Sequence, residues 1–261
     1  MTRPDTDALI RGAQAAADVA GAVIRPFFRA GVDADLKTDA SPVTIADRTA
    51  EQAMRAVLAE RFPSHGILGE EFGLQNPEAT LRWVLDPIDG TRAFITGRPT
   101  FGTLIGLLDG DTPILGIIDQ PVTGERWIGA AGRPTIFRGP MGGRIGARAC
   151  ASLDRAELSA TTPHMFGADL PRWEALRAAT ARTYYGGDCY AYGLLALGQI
   201  DIAVEASLQV WDWAALVPVV EGAGGRMTNW SGKPMRPDGD GRSVAVGDPA
   251  LLGQILEILA S

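Results

Sequence analysis

The sequence predicts a layered α/β fold, mixing α/β and α+β character, and three observations carry that prediction. Helical periodicity opens the chain, short apolar β-type runs fill its middle, and strands then alternate with helices to the end. The chain has 261 residues, 46% of them hydrophobic and 21% charged, which is enough apolar material for a sizeable core. This composition excludes a disordered chain, which needs few apolar residues and a large net charge.

From Thr6 to about Phe28, apolar residues recur at Leu9, Ala13, Ala16, Ala17, Ala20, Val23, Ile24 and Phe27. That spacing predicts an amphipathic helix, with Gly31 as its stop. The polar segment Asp35–Pro42 reads as a loop. A second helix is expected after Thr44, running to Arg61 with Pro63 beyond it. Ile67–Gly69 and Trp83–Leu85 are short apolar strands, the first ending on Glu70-Glu71 and the second on Asp86. Thr103–Leu108 and Ile114–Ile118 flank Asp109-Gly110-Asp111 as a hairpin, and Glu125–Ala130 follows as another strand. The stretch Gly132–Gly146 is rich in Gly, Pro and Arg and reads as a linker or crossover. It divides the chain into an N-terminal α+β half, residues 1–140, and a C-terminal α/β half, residues 141–261. In the second half, strands at Leu158–Thr161, Thr183–Tyr185, Ile202–Val204, Gly225–Asn229 and Ser243–Gly247 alternate with helices at Arg172–Ala181, Tyr190–Leu197, Trp213–Glu221 and Leu251–Leu259.

The net charge of −7 argues against a general nucleic-acid binder, which needs a basic excess, and against attachment to anionic membranes. Cys150 and Cys189 are too few for a disulfide framework, and His65 and His164 leave little for zinc. Asp5, Asp7 and Asp18 interrupt any apolar leader, and no apolar run approaches the ~18 residues of a membrane span. The expected compartment is a reducing cytoplasm.

The most informative segment is Asp86-Pro87-Ile88-Asp89-Gly90-Thr91. An apolar strand delivers two carboxylates three positions apart, with Pro and Gly shaping the turn between them. Pro87 stiffens the chain. Gly90 lets backbone approach a ligand, and the Gly90 and Thr91 N–H groups can face an anion. Carboxylates beside anion-facing N–H groups are what a metal-assisted phosphate site needs, since hard cations take oxygen ligands. Read alone, the same segment is also a solvated Asp-rich turn. Glu70 and Glu71 are either a polar strand end or ligands. Asp47, in the first turn of the second helix, either stabilises that helix start or belongs to a site. Asp212, in Trp211-Asp212-Trp213-Ala214-Ala215, is either an N-cap or a ligand, and Trp211 and Trp213 wedge it.

Taken in order, Lys37-Thr38-Asp39-Ala40-Ser41-Pro42-Val43-Thr44-Ile45-Ala46-Asp47, Gly69-Glu70-Glu71, Asp86–Thr91 and Trp211–Ala215 followed by Glu221-Gly222-Ala223-Gly224-Gly225 resemble the inositol monophosphatase family of magnesium-dependent phosphatases. The resemblance spans nearly the whole chain. It implies an αβαβα sandwich with the site in the cleft between its halves. It also implies two to three Mg2+ ions: one on Glu70, Asp86 and the Ile88 carbonyl, a second on Asp86, Asp89 and Asp212, and a looser third sharing Glu70. Glu70, Thr91 and Asp47 are then the catalytic set that orients water for direct in-line attack. The Gly90 and Thr91 N–H groups cradle phosphate, and Lys37 and Asp39 sit on a mobile loop. A homodimer is a further implication.

For substrate, the resemblance assigns Asp89, Gly90, Thr91, Asp188, Glu205 and Asp212. The row Gly187-Asp188-Cys189-Tyr190-Ala191-Tyr192 departs from the family's inositol-phosphate members, which place a small neutral residue at Asp188. It resembles the histidinol-phosphate phosphatase branch, whose place is in histidine biosynthesis. A second acid near Glu205 suits a cationic substrate such as histidinol phosphate. Asp188 is equally readable as the N-cap of the following helix. An inositol-1-phosphate or broad sugar-phosphate phosphatase, an enzyme of 3′-phosphoadenosine nucleotides, and a degenerate binding protein are the alternatives.

Overall fold

The structure is a computed structural model that describes residues 5–30, 34–36 and 42–260. Gly31, Lys37, Asp39 and Ser41 lie outside the described residues. Helix α1 (Thr6–Ile24) ends four residues earlier than its periodicity predicts. Pro26 lacks an N–H to continue it, and a 3-10 turn, Arg25–Phe27, takes over. Strands β1 (Ala34–Leu36) and β2 (Pro42–Thr44) pair antiparallel, where the sequence suggested only loop. Helix α2 (Ile45–Arg61) follows at the expected bounds.

A seven-stranded sheet comes next, built from β3 (Gly66–Gly69), β4 (Gly73–Gln75), β5 (Leu81–Asp89), β6 (Gly102–Asp109), β7 (Thr112–Gln120), β8 (Glu125–Ala130) and β9 (Arg133–Arg138). Its order is β4-β3-β5-β6-β7-β8-β9, antiparallel except for β3 beside β5. Helix α3 (Thr91–Ile95) interrupts it after β5. Strand β9 lies inside the stretch read as a linker. Its Gly and Pro flanks mask a strand whose pairing comes wholly from β8.

The second sheet has five strands, β10 (Glu157–Ala160), β11 (Arg182–Tyr185), β12 (Ile202–Glu205), β13 (Arg226–Thr228) and β14 (Ser243–Val246), in the order β11-β10-β12-β14-β13. Helices α4 (Leu170–Ala179), α5 (Asp188–Ala196), α6 (Val210–Trp213), α7 (Leu216–Gly222) and α8 (Leu252–Ala260) complete the chain. The helix expected over Trp213–Glu221 is thus two helices, broken at Ala214-Ala215.

Period-two burial sorts the strands into layers. Trp83, Leu85, Ile105 and Ile117 meet α1 and α2 on one face of the large sheet. Val84, Leu104, Ile118 and Trp127 point the other way, into a core with Cys189, Tyr192, Trp213 and Val219 from α5, α6 and α7. Ala203 and Ala245 of the small sheet enter that same core, whereas Ile202, Val204, Val244 and Val246 face Trp173, Leu176, Ile255 and Leu259 of α4 and α8. The result is a helix–sheet–helix–sheet–helix sandwich.

The middle helical layer sits unusually close to the large sheet. Gly106, Gly116 and Gly129 are cross-strand neighbours on β6, β7 and β8. A Cβ on Gly116 would lie 1.9 Å from the Ala215 carbonyl oxygen, and one on Gly129 2.3 Å from Pro218 backbone. This bare lane of backbone receives the break between α6 and α7, and so sets where Asp212 stands.

Candidate metal and phosphate site

Strand β5 does not turn at Asp86, as the sequence suggested, but runs on to Asp89. Asp86 pairs with Leu104 and Asp89 with Gly102, so three steps along β5 match two along β6. That extra residue is a β-bulge. In an unbroken strand, residues three apart point to opposite faces. The bulge resets the alternation, and carboxylate oxygens of Asp86, Asp89 and Asp212 come within 4.8 Å of one another. Thr103 steadies the irregular stretch by donating its hydroxyl to the Pro87 carbonyl at 2.8 Å.

Beyond the bulge, the Ile88 N–H donates to Asp86 at 3.0 Å, and the Thr91 hydroxyl donates to the Ile88 carbonyl at 3.1 Å. Gly90 caps α3 with φ 79°, a left-handed conformation that favours glycine. A Cβ there would also lie 2.8 Å from Cγ of Asp188. Helix α3, too short for periodicity to reveal, begins at the cavity wall, where Gly90, Thr91 and Arg92 line it and first-turn N–H groups have no partner within the helix.

Asp212 is the third residue of α6 rather than its N-cap. It forms a capping box with Gln209, whose N–H donates to the Asp212 carboxylate at 2.6 Å. Trp213 anchors it in the core, and Trp211 packs partly buried beside it. Asp47, in the first turn of α2, has a carboxylate oxygen within 4.8 Å of those of Glu70 and Glu71. Glu70 follows β3, and its N–H extends the pairing to the Leu85 carbonyl at 3.3 Å. Glu71, which the sequence left open as strand end or ligand and the family resemblance gave no role, joins this group.

A cavity of about 550 Å³ opens over these residues, lined by Glu70, Asp86, Ile88, Asp89, Gly90, Thr91, Asp188 and Asp212. Arg92, Arg98, Thr161, Thr162, Tyr185 and Gly186 also line it and escaped the sequence reading. Arg92 and Arg98 follow Thr91 in sequence and Tyr185 and Gly186 precede Asp188, whereas Thr161 and Thr162, just past β10, have no such signal. Asp188 starts α5 with φ 45° and makes no side-chain cap. Its carboxylate instead accepts from the Thr100 hydroxyl at 3.2 Å. The capping is done by Asp89, which accepts the Cys189 N–H at 2.7 Å across the two halves.

Glu205 is placed otherwise than the substrate set implied. Its carboxylate is buried, does not line the cavity, and accepts the N–H and hydroxyl of Thr161 at 2.8 and 3.0 Å. Thr161 stands between it and the cavity. Its other oxygen, Oε2, is buried with no hydrogen-bond partner. Lys37 and Asp39 lie outside the described residues.

Electrostatics test whether these acids suit a cation. Burial pushes the Asp86 carboxyl well up, and Glu70, Asp89, Asp212 and Asp47 push it further. Asp89 is likewise raised, by burial and then by Asp212 and Asp188. Asp212 is pushed up to about 7, chiefly by burial. Like charges in a dry pocket resist ionising together. Two groups of all-oxygen ligands, each within 4.8 Å, fit hard divalent cations, which would return them to their anionic form. No helix among the described residues is long and apolar enough to cross a membrane.

Comparison with known proteins agrees with this arrangement. The family model described as "Inositol monophosphatase family" matches residues 5–261. The chain is 47% identical over 255 residues to "Bifunctional phosphatase IMPL2, chloroplastic" of Arabidopsis thaliana, covering 94% of this chain and 73% of that protein. It is 38% identical over 227 residues to the histidinol-phosphatase of Mycobacterium tuberculosis, covering 84% and 86% respectively. An inositol monophosphatase structure from Zymomonas mobilis superposes with a TM-score of 0.89 at 48% identity, covering 99% of this chain and 100% of that one. The bulged strand, the two acidic groups and the five-layer sandwich are therefore those of a phosphatase, and the chain belongs to the inositol monophosphatase family.

Proposed function

We propose that the chain hydrolyses histidinol phosphate with magnesium as its cation. The observation that carries the substrate is Asp188, a half-buried carboxylate in the cavity wall beside Gly90. It stands next to the phosphate end, within reach of a cationic group on the same small substrate. An opposite charge in a partly desolvated wall favours such a substrate over a neutral polyol. The printed name of the M. tuberculosis relative, a histidinol-phosphatase, supports the same reading. The Z. mobilis structure, named as an inositol monophosphatase, favours inositol phosphate as the second reading.

Bound divalent cations neutralise a phosphate monoester dianion, acidify water and stabilise the departing alkoxide. The chain's own residues orient the reactants. Thr91 spends its hydroxyl proton on Ile88, so its lone pairs remain to accept a hydrogen bond from the attacking water. Asp47 faces the same region from α2 and would accept the water's other hydrogen, taking that single proton as the water oxygen bonds to phosphorus and the ester P–O bond breaks. The N–H groups at Gly90 and Thr91 hold phosphate oxygens. Cys189 takes no nucleophilic part, because burial pushes its thiol well up and its backbone is committed to Asp89. Direct attack by water follows. A homodimer and a cytoplasmic location belong to the same proposal.

The test is phosphate release from histidinol phosphate and inositol 1-phosphate, side by side with Mg2+. A higher kcat/KM is expected for histidinol phosphate. Asp188→Asn is expected to lower that value roughly 10–100-fold while leaving inositol 1-phosphate unaffected. Preference for inositol 1-phosphate, or an unchanged ratio in the variant, would overturn the substrate assignment.

A further inference from the structure

Glu51 belongs to neither acidic group, yet its carboxylate is fully buried one turn beyond Asp47 on α2. It accepts the Glu71 N–H at 2.8 Å on Oε2, and the Phe72 N–H at 3.3 Å on Oε1. Arg55, a further turn along, donates from Nε to the same Oε1 at 2.7 Å. Its outer nitrogen reaches the Gly73 carbonyl. Gly69 and Gly73 are paired across β3 and β4, so Glu70-Glu71-Phe72 is the three-residue loop of a hairpin. Glu51 and Arg55 thus grip two of the loop's residues and the first of the following strand. Gly69 completes the fit, since a Cβ there would lie 2.0 Å from Glu51 Oε1.

We infer that Glu51, held by Arg55, is a positioning residue for the cation site of Asp47, Glu70 and Glu71, an inference that rests on the metal reading above. Asp47 and Glu51 are four residues apart and so share one face of α2. The helix that presents Asp47 therefore also fixes the loop that presents Glu70 and Glu71. The gap between those carboxylates is set by Glu51, not by the loop. Packing alone does not call for a carboxylate here. Burying one is costly, and an apolar side chain would fill the space without that cost. What only the carboxylate supplies is strong, directional acceptance of two neighbouring N–H groups.

The experiment is a Mn2+ titration of the whole protein by calorimetry and electron paramagnetic resonance, run on the unmodified chain, Glu51→Gln, Arg55→Lys and Leu58→Ala. Leu58 is a core residue of the same helix with no link to the loop. Glu51→Gln is expected to weaken one Mn2+ site roughly 10–100-fold, the scale for partners that orient ligands, and to leave the Asp86–Asp89–Asp212 site unmoved. Arg55→Lys, which cannot span Glu51 and Gly73 together, weakens the same site less. Leu58→Ala lowers the unfolding temperature without changing either constant. The inference fails if Arg55→Lys and any folded Glu51→Gln protein bind as tightly as the unmodified chain, or if Leu58→Ala weakens binding as much as they do. Should Glu51→Gln not fold, Arg55→Lys decides the matter. An unmodified chain that binds no Mn2+ overturns the metal reading and this inference with it, a result distinct from variants that bind normally.

Discussion

Two groups of buried carboxylates in this molecule are treated in opposite ways. Asp201 and Glu157 sit at the starting ends of the parallel strands β12 and β10. Each has a guanidinium of its own. Arg148 meets Asp201 with two nitrogens, and Arg182 holds the Glu157 carboxyl below its usual range. Asp86, Asp89 and Asp212 lie near the finishing ends of β10 and its neighbour β11, beside Thr161 and Gly186, and are raised by burial and then by other carboxylates. The first group is neutralised by the fold. The second is left for protons or for cations that arrive from solution. This matches the general tendency of α/β sheets to bind ligands at the carboxyl ends of their strands.

The sharpest way to break this contrast is Asp86→Asn. Phosphate release should fall by at least about 100-fold, because on the proposed reading a cation ligand is lost rather than a neighbour of one. The cation-free protein should at the same time unfold at a higher temperature, since a crowded buried acid is gone. Retained turnover would show that Asp86 is structural, like Asp201.

The next effect is the dependence of stability on pH. Asp212 ionises at about 7 in the folded chain against an ordinary 3.8. A raised carboxyl stabilises the fold while protonated, and that contribution is lost as pH rises through the folded value. Asp86 and Asp89 share the sign. Without divalent cations, the unfolding temperature should therefore drop between about pH 5 and pH 8. Added Mg2+ should raise it more at pH 8 than at pH 5. Equal stabilisation at both would contradict competition between protons and cations.

Arg148→Ala probes the other group. Among the described residues it leaves the buried Asp201 side chain only the Glu157 N–H, and should cost about 2–3 kcal/mol by urea unfolding with kcat unchanged. Glu205→Gln is the mildest change. At pH 5 the glutamine mimics the protonated acid, and stability should stay within about 1 kcal/mol of the original. Glu205 is pushed up to about 8 from an ordinary 4.5, so the variant should also lose less stability on going to pH 8. A variant as pH-sensitive as the original would place the proton elsewhere.

Much of this was legible in the sequence because it is local. The bounds of α2 follow from its periodicity and Pro63, and the hairpin at Asp109–Asp111 from its turn residues. The four acidic segments, each readable alone as a turn, strand end or helix start, stand out through their order along the chain and the family resemblance it carries. What stayed hidden depends on partners far along the chain. The bulge in β5 exists only against β6, and strand β9 only against β8. The break between α6 and α7 reflects the sheet beneath it. Asp188 read as a substrate contact or as a helix cap, and the cap comes instead from Asp89, 100 positions away from the N–H it accepts. Glu205 read as a substrate contact because sequence cannot reveal that Thr161 stands between it and the cavity.

The glycine lane on β6, β7 and β8 has a consequence for how this scaffold can diversify. With backbone resting on backbone at Gly116 and Gly129, the wall carrying Asp212 meets the sheet there through no side chain that could be trimmed to bring it closer. Any residue larger than glycine would lift it bodily. The opposite wall, from Thr161 through Tyr185 to Asp188, hangs on side chains and short loops and can be resculpted a residue at a time. On the proposed reading, a lineage of such enzymes could exchange one phosphate ester for another on that side, while the Asp212 side is held by atoms no substitution can shrink.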